Sequence, residues 1–100
     1  MIKHIILWKL KAEFDDNAKS EIKTKIKEGL EGLKGQIPGI VDIKVNIDAL
    51  EKSTCDLMLD SSFTDWDSYI AYCTHPAHVA VANGCVRPNV EERMCLNYEE

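Results

Sequence analysis

The sequence lacks the features that mark several specialised classes of protein. Its longest apolar run near the start, residues 5–8, is far shorter than a membrane span or the core of a signal peptide. Its four cysteines include no CxxC pair, so neither a zinc ribbon nor a thioredoxin-type motif is expected. Basic residues are fewer than acidic ones, 12 against 17, whereas a nucleic-acid partner needs a basic surface. We therefore expect neither a membrane nor a nucleic-acid partner.

The composition is that of an ordinary small globular domain. Hydrophobic residues make up 45% and charged residues 29% of the 100 residues, which suits a single domain over 1–100 with one core. No signal peptide is recognisable, so we expect a cytoplasmic location in which the cysteines remain free thiols. Composition by itself assigns no function.

Hydrophobic periodicity predicts six elements in the order β-α-β-β-α-β. They are a strand over 2–11, a helix over 16–34, strands over 40–48 and 55–63, a helical region in two parts over 64–74 and 76–83, and a strand over 93–98. The break in the second helical region is expected because a proline at position 76 disfavours helical dihedral angles at the residue before it. This order predicts an α+β, ferredoxin-like βαββαβ monomer, an antiparallel four-stranded sheet with its helices on one face.

Local signals set the predicted ends of the helices. Residues 15–17 supply N-cap candidates for the first helix, and Gly35 is its predicted C′ residue. Thr64, with Asp67 three residues later, forms a weak capping box for the second helical region. That region is predicted to end near Gly84.

The first strand and strand 40–48 differ in their second face. Strand 40–48 alternates cleanly between an apolar face, which begins with Val41, and a polar one. The first strand has one largely apolar face, but its other face also carries Ile5 and Leu7 between lysines. Burial on both sides of the first strand is therefore expected. In so small a protein the second cover is expected to be another copy of the chain, which predicts a homodimer.

The side chains best suited to chemistry lie in segment 69–78, which holds two of the three tyrosines and two of the three histidines. His78 can exchange a proton near neutral pH, and Tyr72 can donate a hydrogen bond to a developing oxyanion. His75, His78 and Cys73 could also begin a metal site, but no carboxylate follows within a turn, so no metal is expected. The structural alternative is that His75 caps a helix and the tyrosines pack in the core. The residues alone leave both alternatives open.

Three segments of the chain carry a family resemblance. They are the opening IKHIILWKLK, the Ile-Pro-Gly turn over 37–39 and the segment YCTHPAH over 72–78. Together they resemble the stress-responsive dimeric α/β-barrel family, and the similarity extends over the whole chain. The resemblance implies a ferredoxin-like monomer that pairs sheet to sheet into a homodimeric barrel. It leaves open a magnesium ion on backbone carbonyls near Ile37, since carbonyl ligation needs no particular side chain.

The resemblance also implies a site between the sheet and the second helical region. In a plant polyketide cyclase of this family a histidine is the base and a tyrosine assists at the oxygen of an intramolecular aldol reaction. The positions that match are His78 and Tyr72, and His4 matches a histidine of the first strand. Two functions stay open: a non-catalytic protein that binds a small hydrophobic carbonyl compound, and a cyclase-like enzyme without a cofactor. The expected ligand-binding residues are Ile6, Trp8, Ile26, Leu59 and His75.

Overall fold

All 100 residues of the protein are described in a computed structural model. None of its helices is long and apolar enough to cross a membrane. The elements are β1 (Ile2–Leu10), α1 (Asp16–Glu31), β2 (Ile40–Asn46), β3 (Leu57–Phe63), α2 (Trp66–Thr74), α3 (Pro76–Val81) and β4 (Val90–Glu99). Short turns extend two of the helices, a 3₁₀ turn over Gly32–Gly35 after α1, and a π turn over Ala82–Val86 and a 3₁₀ turn over Arg87–Asn89 after α3.

The four strands form one antiparallel sheet in the order β2-β3-β1-β4. β1 lies inside the sheet, where Ile6 is paired with Leu59 of β3 and with Cys95 of β4. The helices pack on the face that carries the side chains of Ile6 and Leu59, called here the inner face. The predicted ferredoxin-like fold is therefore confirmed.

The hydrophobic core lies between the inner face and the helices. Strand alternation places Trp8 and Leu10 there, where they meet Ile26 and Leu30 of α1, and all four are almost fully buried. Burial of each such side chain contributes about 1.5–3 kcal/mol to folding. The one small polar side chain deep in this layer, Ser61, donates a hydrogen bond to a β1 carbonyl at 2.8 Å. The core is thus closed within a single chain.

Helix α1 starts as predicted but ends differently. Asp15 caps its N-terminus, since a carboxylate oxygen accepts a hydrogen bond from the Ala18 N–H at 2.8 Å. The prediction of Gly35 as a left-handed C′ residue is wrong, because the chain tightens into the 3₁₀ turn without a positive φ. The glycine that needs its freedom is Gly39, with φ +92°. A Cβ there would lie 2.5 Å from the Cβ of Ser68, so the turn excludes other residues.

The second helical region begins and ends later than expected. Asp65, rather than Thr64, is the N-cap of α2, accepting a hydrogen bond from the Ser68 N–H at 2.8 Å. The predicted end near Gly84 is wrong, because helical turns continue to Asn89. The Asn89 side chain stabilises this extension by donating to a backbone carbonyl one turn earlier, at 2.8 Å.

Two strand predictions also need correction. Val41 does not share the buried face of β2, because the pairing with β3 is irregular between Ile40 and Asp42 and leaves Val41 exposed. β4 begins at Val90, three residues before the predicted start. The prediction started too late because two glutamates at 91 and 92 interrupt the apolar pattern of the sequence.

The other side of the sheet, called here the outer face, has no covering layer within the chain. Leu7 is 37% exposed on it, and Met94 and Leu96 of β4 are 67% and 63% exposed. Burial on both sides of β1 is therefore not achieved by one copy of the chain. The apolar residues of the outer face are Ile5, Leu7, Met58, Met94, Leu96 and Tyr98.

Candidate functional site

The break between α2 and α3 changes which backbone groups are paired. Pro76 has no N–H, so the Tyr72 carbonyl accepts from the His75 N–H at 3.2 Å instead. His75 has extended dihedral angles, and its Nδ1 accepts from the Ala77 N–H at 3.1 Å, which makes it the N-cap of α3. An uninterrupted helix would have given that N–H to the Cys73 carbonyl. The Cys73 carbonyl is therefore available to a side chain.

That side chain is His78. Its Nδ1 lies 3.2 Å from the Cys73 carbonyl oxygen, which can only accept, so Nδ1 carries the proton and Nε2 keeps its lone pair. Burial lowers the pKa of His78 below its ordinary value. The hydrogen bond to Cys73 opposes this shift, while the charges of Arg87 and Arg93 add to it. His78 is thus a neutral imidazole at pH 7 with Nε2 able to accept a proton.

Tyr72 packs against this imidazole. The two ring centroids are 4.2 Å apart and the ring planes are inclined by 34°. Tyr72 is only 1% exposed, and its hydroxyl is buried without a hydrogen-bond partner in the protein. Burial raises the pKa of Tyr72 well above its ordinary value, so the hydroxyl stays protonated. It is a donor without an acceptor.

Both side chains line a cavity of about 270 Å³ between the inner face and α3. Trp8 belongs to the same wall, and its Nε1 is the second buried polar atom without a partner. The volume is slightly below the range of about 300–1,000 Å³ that is typical of ligand pockets, so a fitting molecule is small. The apolar part of the wall is formed by Ile6, Trp8, Leu30, Leu59, Ala82, Val86 and Val90.

A second hollow, of about 450 Å³, lies at one end of the outer face beside Leu7 and Met58. It is larger, but it contains no histidine or tyrosine and adjoins the uncovered apolar surface. The smaller cavity is the candidate site, because only there do a base and hydrogen-bond donors meet apolar walls.

His4 belongs to a neighbouring network rather than to the cavity wall. Its Nδ1 is 2.6 Å from the Asn97 side-chain oxygen, and the Asn97 amide donates to the Tyr69 hydroxyl at 3.3 Å. The His4 ring is 4.7 Å from that of Tyr69 and 6.3 Å from that of Tyr72. Burial lowers the pKa of His4, and burial raises that of Tyr69 to about 12. His4 therefore reaches the site only through the Tyr72 ring.

The structure brings five of the eight expected site residues to the cavity. Ile26 is wholly buried in the core and does not line it, and Leu30, one turn later on α1, does so instead. His75 is engaged in the cap of α3, and His4 is held by Asn97. The expected residues that do line the cavity are Tyr72, His78, Ile6, Trp8 and Leu59.

Sequence reasoning missed the charged side chains of the cavity. Arg87, Glu91 and Arg93 line it together with the apolar residues. A signal was present, since arginine occurs at only two positions in the sequence, 87 and 93. This signal could not place the two arginines in the site, because they are six residues apart in the sequence. Only the structure shows that a helical turn and a strand bring both side chains to one opening.

No metal site is assigned. No group of three or more side chains that could ligate a metal converges in the protein. The turn around Ile37 offers backbone carbonyls, and the Asp42 carboxylate on the following strand is 3.6 Å from the Lys34 ammonium. That exposed ion pair involves side chains only and does not decide carbonyl ligation, so we derive no step through an ion.

The fold is that of a ferredoxin-like α+β domain, with a cavity between the sheet and the helices. The family model of the Stress Responsive A/B Barrel Domain matches residues 2–100. The chain therefore belongs to that family, as its motifs indicated. No curated protein matches it significantly.

Solved structures agree with this assignment. A dimeric protein of unknown function and ferredoxin-like fold from Bacteroides fragilis is 32% identical, with TM-score 0.92 over 99% of this chain and 95% of that one. A family protein from Mesorhizobium loti is 22% identical, with TM-score 0.77 over 99% and 95%. Hydroxynitrile lyase from Passiflora edulis is 17% identical, with TM-score 0.72 over 97% and 90%. At such identities the last two show the fold alone.

Proposed function

We propose that the protein is a homodimer that binds a small hydrophobic carbonyl compound in the cavity between the sheet and α3. The observation that carries the proposal is the buried, unpartnered Tyr72 hydroxyl stacked beside a neutral His78 in an apolar cavity. Family membership and fold do not decide the ligand, because one fold serves many functions.

The unpaired atoms favour a ligand that accepts hydrogen bonds. Tyr72 and Trp8 each bury a donor without an acceptor, which costs about 1–3 kcal/mol for each group. A carbonyl oxygen only accepts, so it would recover part of this cost. Both atoms are closed off from solvent, so a ligand has to displace a side chain of the wall to reach them. The exposed arginines at the opening can move without disturbing the core.

A binding experiment tests this proposal. Butyrophenone, an apolar ketone, is titrated into the protein and followed by amide NMR. Saturable shifts are expected around α3 and in Trp8. Ala82→Leu fills the cavity and should weaken binding at least ten-fold, because Ala82 lines it. Ala80→Leu places the same side chain at an exposed position of α3 and should bind as the unmodified protein does. Equal binding by both variants would contradict the proposal.

The outer face supports the homodimer. It exposes a continuous apolar surface on neighbouring strands, and such patches mark interaction sites. A second copy related by a two-fold axis would cover this surface with the same surface of its own. The relative from Bacteroides fragilis, which matches almost the whole chain at 32% identity, is described as dimeric.

A second candidate function is cyclase-like aldol chemistry, favoured by the state of His78. Its free Nε2 could remove a proton from a carbon next to a carbonyl group, and Tyr72 could donate a hydrogen bond to the enolate oxygen. The enolate carbon would then form a bond with a second carbonyl carbon of the same molecule. His78 would return the proton to the new alkoxide, so the protein ends unchanged.

Deuterium exchange separates binding from catalysis. If the protein is an enzyme, we expect it to accelerate exchange of the hydrogens next to the carbonyl of butyrophenone in D₂O. His78→Ala should lower this rate about 10²–10⁴-fold, the usual contribution of a general base. Tyr72→Phe should also remove most of the acceleration, while the dimer stays intact and the protein is not destabilised. Saturable binding without accelerated exchange would contradict the enzyme hypothesis and favour a non-catalytic binding protein.

A further inference from the structure

We propose that the ligand of this cavity is an apolar oxo-acid, whose carboxylate is bound by Arg93 with Arg87 beside it. The inference rests on the function proposed above and adds the anionic group to it. The ketone oxygen of such a ligand would lie at the Tyr72 and Trp8 donors, and its carboxylate at the arginines of the opening.

The first argument is the distribution of basic residues. The chain has twelve, of which ten are lysines and two are arginines. Both arginines line this cavity, and no lysine does. Arginine presents a rigid planar fork that matches a carboxylate with two parallel hydrogen bonds, whereas lysine is a point charge. The residue type suited to binding a carboxylate thus occurs only at this site.

The second argument is the pairing of the charges. Arg93 makes no hydrogen bond or ion pair within the protein, and Arg87 makes one hydrogen bond, to the Asn83 side chain at 2.7 Å. The only carboxylate of the cavity wall, Glu91, lies 3.7 Å from the Lys9 ammonium. The opening therefore has a guanidinium without a protein partner in a chain of net charge −5.

The third argument is the excess of donors over acceptors in the cavity. The two arginines, Trp8 and Tyr72 supply donors, while the neutral acceptor is His78 Nε2. The charges of both arginines also lower the pKa of His78, so their field reaches the interior. A ligand with acceptor oxygens at both ends of a small apolar body satisfies this arrangement.

The test compares matched probes on a single-tryptophan protein. Trp66 is half exposed and lies outside the cavity, so Trp66→Phe leaves Trp8 as the only tryptophan to report binding by fluorescence. The probes are 4-oxo-4-phenylbutanoate, its neutral amide and butyrophenone. The carboxylate is expected to bind roughly ten-fold or more tightly than the amide, as charge-assisted hydrogen bonds to arginine predict.

Variants assign the effect to the arginine. Arg93→Gln should remove this preference for the carboxylate over the amide, and Arg93→Lys should keep only part of it because the fork is lost. Lys34→Gln removes an equal charge outside the cavity and should leave the preference intact. Equal binding of carboxylate and amide, or a preference that survives Arg93→Gln, would overturn this inference and leave the proposed function standing. Failure of all three probes to bind would overturn both.

Discussion

The two faces of the sheet are built from the same strands but differ in how far the rest of the chain covers them. On the inner face, core side chains such as Leu59 and Phe63 are fully covered by helices. On the outer face, Met94, Leu96 and Tyr98 of the edge strand β4 remain 67%, 63% and 44% exposed. One face is finished within the chain, and the other is not.

Under the helices, the two ends of the inner face differ in whether their buried polar groups have hydrogen-bond partners. At its end near His4, the imidazole, Asn97 and Tyr69 are joined by hydrogen bonds of 2.6 and 3.3 Å. Near Trp8 and Tyr72, two buried polar atoms have no partner. Unpaired buried polar groups are rare in folded proteins, and this is why we place the proposed ligand at the second end. Incompleteness therefore identifies both the proposed subunit interface and the proposed site.

The largest expected effect comes from placing a charge on the outer face. Leu7→Asp should release monomers or unfold the protein, because an unpaired charge buried at an interface costs about 3 kcal/mol or more. Light scattering at micromolar concentration measures the change. A dimer of the unmodified protein is expected in the same measurement.

The control places the same charge on the helical side. Ile70 of α2 is 46% exposed, close to the 37% of Leu7, but lies away from the outer face. Ile70→Asp should keep the dimer and change the free energy of unfolding by less than about 0.5 kcal/mol. A stable monomer of the unmodified protein would show that the outer face is not a subunit interface.

The fold could be predicted from the sequence because each signal is local. The 3.6-residue period over α1, the alternation of β1 and the proline at 76 define elements without knowledge of their neighbours. Gly35 and Val41 were predicted wrongly because a 3₁₀ turn and an irregular strand pairing depend on tertiary packing. The same limit explains why the cavity position of Arg87 and Arg93 was not predicted. Both reach one cavity only because the 3₁₀ turn that carries Arg87 leads directly into β4, which carries Arg93.

An effect of intermediate size is expected at two tyrosines, one whose hydroxyl has no hydrogen-bond partner and one whose hydroxyl has a partner. Tyr72→Phe removes a buried hydroxyl without a partner and should raise the free energy of unfolding by about 1 kcal/mol. Tyr69→Phe removes the acceptor of the Asn97 amide and should lower it by about 1 kcal/mol. Urea unfolding of both variants measures the difference in sign. If Tyr72→Phe destabilises as Tyr69→Phe does, the hydroxyl has a partner and the contrast between the two ends of the face fails.

The smallest expected effect is a dependence of stability on pH, which both ends of the inner face share. Burial lowers the pKa of His4 and of His78 in the folded protein, whereas in the unfolded chain both titrate near their ordinary value of 6.5. Between these values the unfolded chain binds more protons than the folded one, so the free energy of unfolding falls as the pH is lowered below about 6.5.

Urea unfolding at pH 7.5, 6.5 and 5.5 measures this slope, and His78→Gln should make it shallower because one of the two histidines with a lowered pKa is gone. His4→Gln should do the same, whatever its effect on stability at pH 7.5. Glu31 does not interfere, because its pKa is lowered from 4.5 and it titrates below this range. A slope that neither variant changes would mean that both histidines accept protons in the folded protein as easily as in the unfolded one. The lowered pKa of His78 would then be wrong.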